Sequence, residues 1–407
     1  MPELEIEIKL DFLRKIKKHW TFLALIIIFL LSFSIRLSNF HWPYLLNIDS
    51  YFHYRYMKYI AEGRTEALTI ERNGELIQTS DLKYDPLMTA PNGKLFNPNP
   101  YHYIGAYSYL FVKLFFPYLE LWRFLIYFPV FITSLMVIPA YILGKTIYDK
   151  KAGVLAAFLI LFNPAIMSRT VGGDPDNDCW VLLLPLTVLA LYFLAYKNTD
   201  GNLRNKKAII YSFLAGLFFT IFAYSWVSWY IFYLILGFCV VVSILGYITK
   251  KIDIEKIKHI WLTFVIFFLT FVLISFSISG TSKIYTNLIG PFQSLKLKSE
   301  VGQFPNVYVS VAEMMSGGSL KTVAQRTGTL LFFLGFLSLI YLSYSYLMNR
   351  KHLEALVLLG LWIIAPLYAS LVAIRFTILL ALPLSLATAI LLSRLWGLVF
   401  KKEEGES

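Results

Sequence analysis

The sequence predicts an all-α integral membrane protein: a polytopic bundle of about ten transmembrane helices with large first and late external loops. Of its 407 residues, 57% are apolar and only 15% are charged. Stretches such as 21–37 and 260–279 are long enough to cross ~30 Å of hydrocarbon at ~1.5 Å per helical residue. Their apolarity is continuous rather than alternating, which favours helices and excludes a membrane β-barrel.

The first predicted span follows a basic segment. Arg14, Lys15, Lys17 and Lys18 precede it, and no small-residue cleavage site follows the apolar run. We therefore predict an uncleaved first helix with residues 1–19 in the cytoplasm.

The positions of lysine and arginine predict the topology. If the basic clusters are all cytoplasmic, neighbouring clusters are separated by an even number of crossings. The clusters lie at 14–18, 145–151, 197–207, 250–258, 350–351 and 401–402. The predicted spans are 20–37, 121–144, 153–168, 179–196, 208–224, 228–249, 260–279, 328–347, 353–372 and 376–399. Both ends are then inside, and 401–407 is a cytoplasmic tail.

One further apolar stretch, 101–118, is predicted to be an interfacial helix rather than a span. Counting it as a crossing would move every later basic cluster to the outside. The transmembrane catalytic domain is then 20–400, with external loops at 38–120, 169–178 and 280–327.

These three external loops carry acids beside span ends. The acids are Asp49 in NIDSYFHYRY, Asp174, Asp176 and Asp178 in GGDPDND, and Glu313 in VSVAEM. A lone acid in an exposed loop is usually only solvated, but three groups on one membrane face suggest a shared use. Carboxylates are preferred ligands of Mg²⁺ and Mn²⁺, so the sequence predicts a divalent metal site.

Histidine and cysteine give less support for zinc. His53 and His102 are expected to be isolated residues with structural or interfacial roles. Cys179 and Cys239 both lie in apolar spans, so neither a disulfide framework nor a thiolate metal site is predicted.

In order along the chain, these motifs resemble those of the catalytic subunit of oligosaccharyltransferase, in its archaeal and bacterial single-subunit form. The resemblance lies in DSYFHYR after the first span, SRTVGGDPDND, SVAE at 310–313 and the arginine of AIRFTILLALP. The distance from Arg169, compared with the family motif, selects Asp176 and Asp178 over the pair Asp174 and Asp176.

The resemblance implies a GT-C type glycosyltransferase that is metal-dependent and inverts the anomeric carbon. It would transfer an oligosaccharide from a polyprenyl or dolichyl pyrophosphate carrier to asparagine of an acceptor polypeptide. It also implies that Asp49 and Glu313 are catalytic, and that they bind Mn²⁺ or Mg²⁺ together with Asp176 and Asp178. Arg375 and Arg169 would bind the pyrophosphate. The protein would lie in the cell membrane with its site on the extracytoplasmic face.

The sequence departs from the family in two respects. The ten predicted crossings are fewer than family members have. Family members carry a C-terminal soluble domain whose WWDYG motif binds the Ser/Thr of the acceptor sequon, and no WWD occurs in this sequence. We therefore expect a form without that domain: a natural short form, a truncated chain, or one whose sequon-reading part is a separate subunit.

Several alternatives remain open at this stage. Arg375 could be a span-end arginine that snorkels to the interface, and Glu313 could pair with Lys296, Lys298 or Lys321. The protein could instead use a polyprenyl-phosphate sugar to glycosylate another acceptor. A transporter of lipid-linked glycans is a second alternative, although transporters usually carry charges near the membrane midplane.

Overall fold

The computed structural model describes residues 2–38, 43–64, 66–72, 75–80, 82–87, 93–199, 205–249, 254–299 and 318–400. The fold is a bundle of helices, as predicted. The helices in chain order are α1 (Pro2–Ser38), α2 (Ile48–Ala61), α3 (Pro100–Lys113), α4 (Leu121–Ser134), α5 (Val137–Ile147), α6 (Lys150–Leu161), α7 (Pro164–Met167), α8 (Asp178–Lys197), α9 (Lys206–Ser225), α10 (Trp229–Ile248), α11 (Ile254–Ser279), α12 (Ser282–Ser299), α13 (Leu320–Thr327), α14 (Thr329–Asn349), α15 (Leu353–Val372) and α16 (Thr377–Phe400).

Nine helical segments in the described part of the chain are long and apolar enough to cross a membrane. They coincide with nine of the ten predicted spans: His19–Ser38, Leu121–Ile147, Asp178–Lys197, Lys206–Ser225, Trp229–Ile248, Ile254–Ser279, Thr329–Asn349, Leu353–Val372 and Ile374–Val399. The continuous apolar runs of the sequence therefore located these helices well. The structure confirms the predicted fold class.

The remaining predicted span, 153–168, is two shorter helices. Helix α6 ends at Leu161, and the one-turn helix α7 follows after Asn163, whose side chain accepts a hydrogen bond from the Ala165 amide. Pro164 lacks an amide hydrogen and disfavours helical geometry in the residue before it, so the break falls there.

Together, α6 and α7 still carry the chain from one side of the bundle to the other. At one end, the Ser393 hydroxyl near the end of α16 donates to Asp149 Oδ1 at 2.8 Å. At the other end, Arg36 in the last turn of α1 donates to Thr170 Oγ1 at 2.9 Å. The segment that follows α7 therefore lies at the same height in the bundle as the end of α1.

The first long loop contains regular structure that the sequence did not predict. It begins with α2 and continues into an antiparallel hairpin of β1 (Ala67–Arg72) and β2 (Glu75–Ser80). A second short pair, β3 (Tyr84–Asp85) with β4 (Lys94–Leu95), precedes α3. Arg55 of α2 forms an ion pair with the buried Asp85, which attaches the hairpin region to α2. Helix α3 has 14 residues and is not among the nine candidate spans; its interfacial position stays a prediction.

Small residues let the central helices approach closely, as is common inside membranes. A Cβ atom on Gly216 of α9 would lie 2.6 Å from the Phe267 carbonyl oxygen of α11. A Cβ on Gly144 of α5 would lie 2.9 Å from the Cα of Gly153 in α6. Helices α8 and α16 are the most enclosed, with 78% and 83% of their most apolar stretches buried, against 17% for α1. Helix α8, which begins in the acidic motif, is thus anchored in the centre of the bundle.

Candidate active site

The second acidic motif lies on a backbone platform made by three other segments. The Gly172 amide donates to the Arg36 carbonyl at 3.0 Å, and the Gly173 amide donates to the Ile126 carbonyl at 3.1 Å. The Gly173 carbonyl in turn accepts from the Leu46 amide at 2.9 Å. Gly173 has a φ of 81°, a left-handed conformation that glycine adopts without steric cost. The motif is therefore fixed to the end of α1, the start of α4 and the segment before α2.

Asp174 binds the segment that carries Asp49. Its two carboxylate oxygens accept from Asn47 Nδ2 at 2.7 Å and from Ser50 Oγ at 2.8 Å. Burial, followed by the nearby charge of Asp176, raises the pKa of Asp174. Both of its oxygens are thus used to hold the start of α2.

Asp176 contacts the side chain of His53 and the backbone amide of the next residue, Asn177. Its Oδ1 is 3.3 Å from His53 Nε2 and accepts from the Asn177 amide at 2.6 Å. Its carbonyl accepts from the Tyr101 hydroxyl at 3.2 Å. Burial disfavours the ionised carboxylate, but the interactions with His53, the Asn177 amide and the Arg375 charge together outweigh it and lower the pKa of Asp176. Asp176 is therefore held as a carboxylate in a half-buried position.

Asp178 is the first residue of α8, where the positive end of a helix dipole favours an anion. It is only 7% exposed. Its Oδ1 is 4.0 Å from an Arg375 guanidinium nitrogen. Arg375 lies in a single 3₁₀ turn, Ile374–Phe376, between α15 and α16. The structure thus brings the late-span arginine and the second-loop aspartate to one place.

The other predicted site residues are placed as follows. Asp49 lies in the first turn of α2 and is exposed, directly between Ser50 and the turn that holds Asn47. Arg169 is half-buried, and its charge acts on Asp174. Glu313 lies outside the described residues.

His53 and His102 are not isolated, so that prediction was wrong. Their rings stack 5.0 Å apart, and His53 Nδ1 lies 2.9 Å from His102 Nε2. Both side chains are buried, and His53 also touches Asp176. The pair is 49 residues apart in the chain, and a contact at that separation has no local signal. One local signal does exist: His102 stands three residues after Asn99, where a capping box places its second side chain.

The chemistry of the acidic motif fits a divalent cation in part. Asp178 is buried and the side chain of Asp176 is 12% exposed. Carboxylate oxygens are the ligands that Mg²⁺ and Mn²⁺ prefer. Across the ranges that the structure describes, no three His, Cys, Asp or Glu side chains form a complete ion site. The predicted set also includes Glu313, which lies beyond those ranges.

The chain matches a known protein family. Residues 20–404 match the family model described as oligosaccharyl transferase STT3, N-terminal. A curated relative is the dolichyl-phosphooligosaccharide-protein glycotransferase of Methanococcus voltae, 22% identical over 383 residues. That alignment covers 85% of this chain and 41% of the relative, so the chain spans less than half the length of this relative.

Solved structures share the fold. One is the archaeal oligosaccharyltransferase AglB from Archaeoglobus fulgidus in complex with an inhibitory peptide and a dolichol-phosphate. It matches with a TM-score of 0.71 at 19% identity, over 96% of this chain and 52% of that one. A second is an oligosaccharyltransferase from the same organism in complex with Zn and sulfate. It has a TM-score of 0.68 at 22% identity, over 92% of this chain and 49% of that one.

Proposed function

This chain belongs to the oligosaccharyl transferase STT3 family, and from that premise we propose that it transfers an oligosaccharide to asparagine in acceptor polypeptides. The donor is an oligosaccharide on a polyprenyl or dolichyl phosphate or pyrophosphate carrier. The family match over residues 20–404 supports this activity. So does the name of the M. voltae relative, a dolichyl-phosphooligosaccharide-protein glycotransferase.

The observation that carries the proposal is the contact between Asp178 and Arg375 at 4.0 Å. It joins an acidic group at the start of α8 to a cationic group between α15 and α16. A transferase that uses a phosphorylated carrier needs both: carboxylates for a metal or a nucleophile, and a fixed cation for the departing phosphate. A guanidinium is always charged and pairs with phosphate through two parallel hydrogen bonds.

The acceptor nitrogen requires activation, because an amide lone pair is delocalised into its carbonyl. Breaking peptide-type resonance fully costs ~18–20 kcal/mol, so even partial rotation of the C–N bond raises reactivity substantially. Asp49 and Glu313 would each accept a hydrogen bond from one of the two amide hydrogens and favour the twisted form. The exposed position of Asp49 at the start of α2 leaves it open to a peptide.

Asp49, Asp176, Asp178 and Glu313 would hold Mn²⁺ or Mg²⁺. When bound, the cation supplies positive charge that keeps the carboxylates ionised and stabilises developing negative charge. His53 contacts Asp176, and Asp178 lies at the positive end of the α8 helix dipole.

Arg375 and Arg169 would bind the phosphate groups of the carrier. Arg375 is one-third exposed and lies directly before α16, so its guanidinium can reach a headgroup. We place the site on the extracytoplasmic face of the cell membrane, because the basic clusters lie at the opposite ends of the predicted spans. A separate sequon-reading subunit remains part of the proposal.

The test is a transfer assay with the protein in liposomes. It uses a lipid-linked oligosaccharide and an Asn-x-Thr peptide, with Mn²⁺ or with EDTA. We expect a glycopeptide in Mn²⁺, none in EDTA, and a loss of at least ~100-fold in Asp49→Asn and Glu313→Gln, which remove charges acting in the transition state. Glu62→Gln and Glu120→Gln, exposed acids outside the acidic motifs, are the controls.

The outcome also separates the alternatives. A product formed equally well in EDTA and attached to a hydroxyl would favour a polyprenyl-phosphate-sugar transferase. Movement of the lipid-linked glycan across the bilayer without a glycopeptide would favour a transporter.

A further inference from the structure

Two buried histidines lie in a chain of polar contacts that ends on Asp176: two hydrogen bonds and a 3.3 Å contact between His53 and the carboxylate. The chain starts at the backbone of Asn99, the residue that caps α3, and passes through His102 and His53. The Asn99 amide donates to His102 Nδ1 at 3.0 Å, and His102 Nε2 is 2.9 Å from His53 Nδ1. His53 Nε2 is 3.3 Å from Asp176 Oδ1.

The first bond fixes the tautomer of His102. A backbone amide can only donate, so His102 Nδ1 accepts and carries no proton. A neutral imidazole has one N–H, and that proton is then on Nε2. A doubly protonated His102 would set two N–H groups against each other at Nδ1.

The second bond transmits this constraint to His53. His102 Nε2 carries the proton and donates, so His53 Nδ1 must accept. The proton of a neutral His53 is therefore on Nε2, the nitrogen that faces Asp176. A doubly protonated His53 would oppose two N–H groups at the bond to His102, so His53 reaches Asp176 as a neutral donor.

Packing keeps the rings in these positions. His53 and His102 are 5% and 0% exposed. Phe52 and Tyr101 contact the rings edge-on, at 5.9 Å from His102 and 5.4 Å from His53. The Tyr101 hydroxyl also donates to the carbonyls of Pro175 and Asp176. Tyr101 therefore contacts both the histidine pair and the segment that carries Asp176.

We propose that His102 and His53 are positioning residues: a hydrogen-bond relay from the Asn99 amide presents an N–H to Asp176 and orients its carboxylate for the metal. This inference rests on the proposed function for the presence of a metal. The relay leaves the other oxygen of Asp176 for the cation. Hydrogen bonds to a ligating carboxylate tune metal affinity, and their loss typically weakens it 10–100-fold.

The first test measures Mn²⁺ binding by electron paramagnetic resonance, with no substrate present. We expect His53→Leu to weaken binding 10–100-fold and His102→Leu to weaken it by a smaller factor. His53→Gln and His102→Gln should retain most of the affinity, because a glutamine amide offers a donor near the position of Nε2, and at position 102 it also offers an acceptor to the Asn99 amide. His352→Gln, near Tyr148 at the opposite end of the bundle, should bind as the unchanged protein does.

The second test reads the tautomers directly in the unchanged protein. Nitrogen NMR of ¹⁵N-histidine-labelled protein, with the signals assigned by loss in the two glutamine variants, should show both rings neutral and protonated at Nε2. The relay is wrong if His53 Nε2 is unprotonated or if either ring is doubly protonated. It is also wrong if His53→Leu, with an unchanged unfolding midpoint, binds Mn²⁺ as tightly as the unchanged protein. The NMR measurement tests the proposed hydrogen-bond relay even if a leucine variant fails to fold or the protein binds no Mn²⁺.

Discussion

The three aspartates of the second loop have different surroundings, although they lie close together in the sequence. Asp174 uses both oxygens to bind Asn47 and Ser50, whereas Asp178 faces Arg375. One oxygen of Asp176 lies 3.3 Å from His53 Nε2. These surroundings support Asp176 and Asp178 as metal ligands and Asp174 as a residue that holds the start of α2.

This division predicts different effects of similar substitutions. Asp174→Asn should destabilise the protein by ~1–3 kcal/mol, since one of its two donors is left without an acceptor. It should retain most of the Mn²⁺ affinity, which Asp176→Asn and Asp178→Asn should abolish. Thermal unfolding in detergent and Mn²⁺ titration measure the two effects. Equal loss of Mn²⁺ binding in all three variants would contradict the assignment.

We expect His102 to make the free energy of unfolding of the protein depend on pH. Burial, and then the neighbouring His53 ring, lower the pKa of His102 well below its usual value of about 6.5. The folded state therefore keeps His102 neutral, while the unfolded chain binds a proton as the pH falls through about 6.5. His102 then stabilises the fold above that pH, and its contribution is lost below it by up to about 1.4 kcal/mol per pH unit.

The measurement compares thermal unfolding midpoints at pH 7.5 and pH 5.5. The unchanged protein should lose more stability on acidification than His102→Gln, which keeps the hydrogen-bonding groups but cannot titrate. Identical pH profiles for the two proteins would show that His102 is not held neutral by the fold.

At the scale of elements, Arg36 connects α1, α6 and the acidic segment. It is 1% exposed. Its described partners are hydroxyl and carbonyl oxygens: Thr170 Oγ1 at 2.9 Å, Ser32 Oγ at 2.7 Å and the Leu161 carbonyl at 2.6 Å. Leu161 is the last residue of α6, where carbonyls lack helical partners and attract a cation. Arg36 thus satisfies the end of a helix that stops within the bundle.

Arg36→Gln should therefore loosen the platform beneath the acidic motif. We expect a lower thermal unfolding midpoint, by an amount that corresponds to about 2–4 kcal/mol, since several bonds of a buried charged donor are lost. The exposed Arg123 is a matched control, and Arg123→Gln should leave the midpoint unchanged. An unaltered midpoint in Arg36→Gln would show that other contacts fix the end of α6.

Sequence reasoning found the spans because each is a single uninterrupted apolar run, and that pattern depends only on neighbouring residues. It missed the break after Leu161, although Asn163 and Pro164 are a visible signal, because the flanking residues are apolar enough to hide it. It missed the pairing of His53 with His102, since a contact across 49 residues depends on how α2 and α3 pack. It did not predict the contact of Arg375 with Asp178; the family resemblance implied only that Arg375 binds the pyrophosphate and Asp178 the metal.

At the scale of the whole molecule, the acidic motif and the ends of α1 and α7 lie at one level. Asp149, Ser393 and the turn after α14 lie at the other, since the Tyr148 ring contacts His352 and its hydroxyl bonds to that of Tyr341. The first level should face outward if the basic clusters are cytoplasmic. The two native cysteines are buried, so introduced cysteines can report on each face.

This sidedness predicts a labelling pattern in intact cells. A membrane-impermeant maleimide should label Glu62→Cys, at the end of α2, without permeabilisation. It should label Lys351→Cys, between α14 and α15, only after permeabilisation. The opposite pattern would place the acidic motif in the cytoplasm.

The central claim is that Asp49 and Glu313 activate an asparagine amide, and that Arg375 binds the phosphate of the lipid-linked glycan that the amide attacks. The most direct measurement uses an acceptor peptide with ¹⁵N in its asparagine side-chain amide and determines the product linkage by NMR. We expect a bond between the anomeric carbon and that ¹⁵N, formed with inversion and only when Mn²⁺ or Mg²⁺ is present. A sugar attached to the threonine oxygen, or a nitrogen-linked product formed equally well in EDTA, would contradict it.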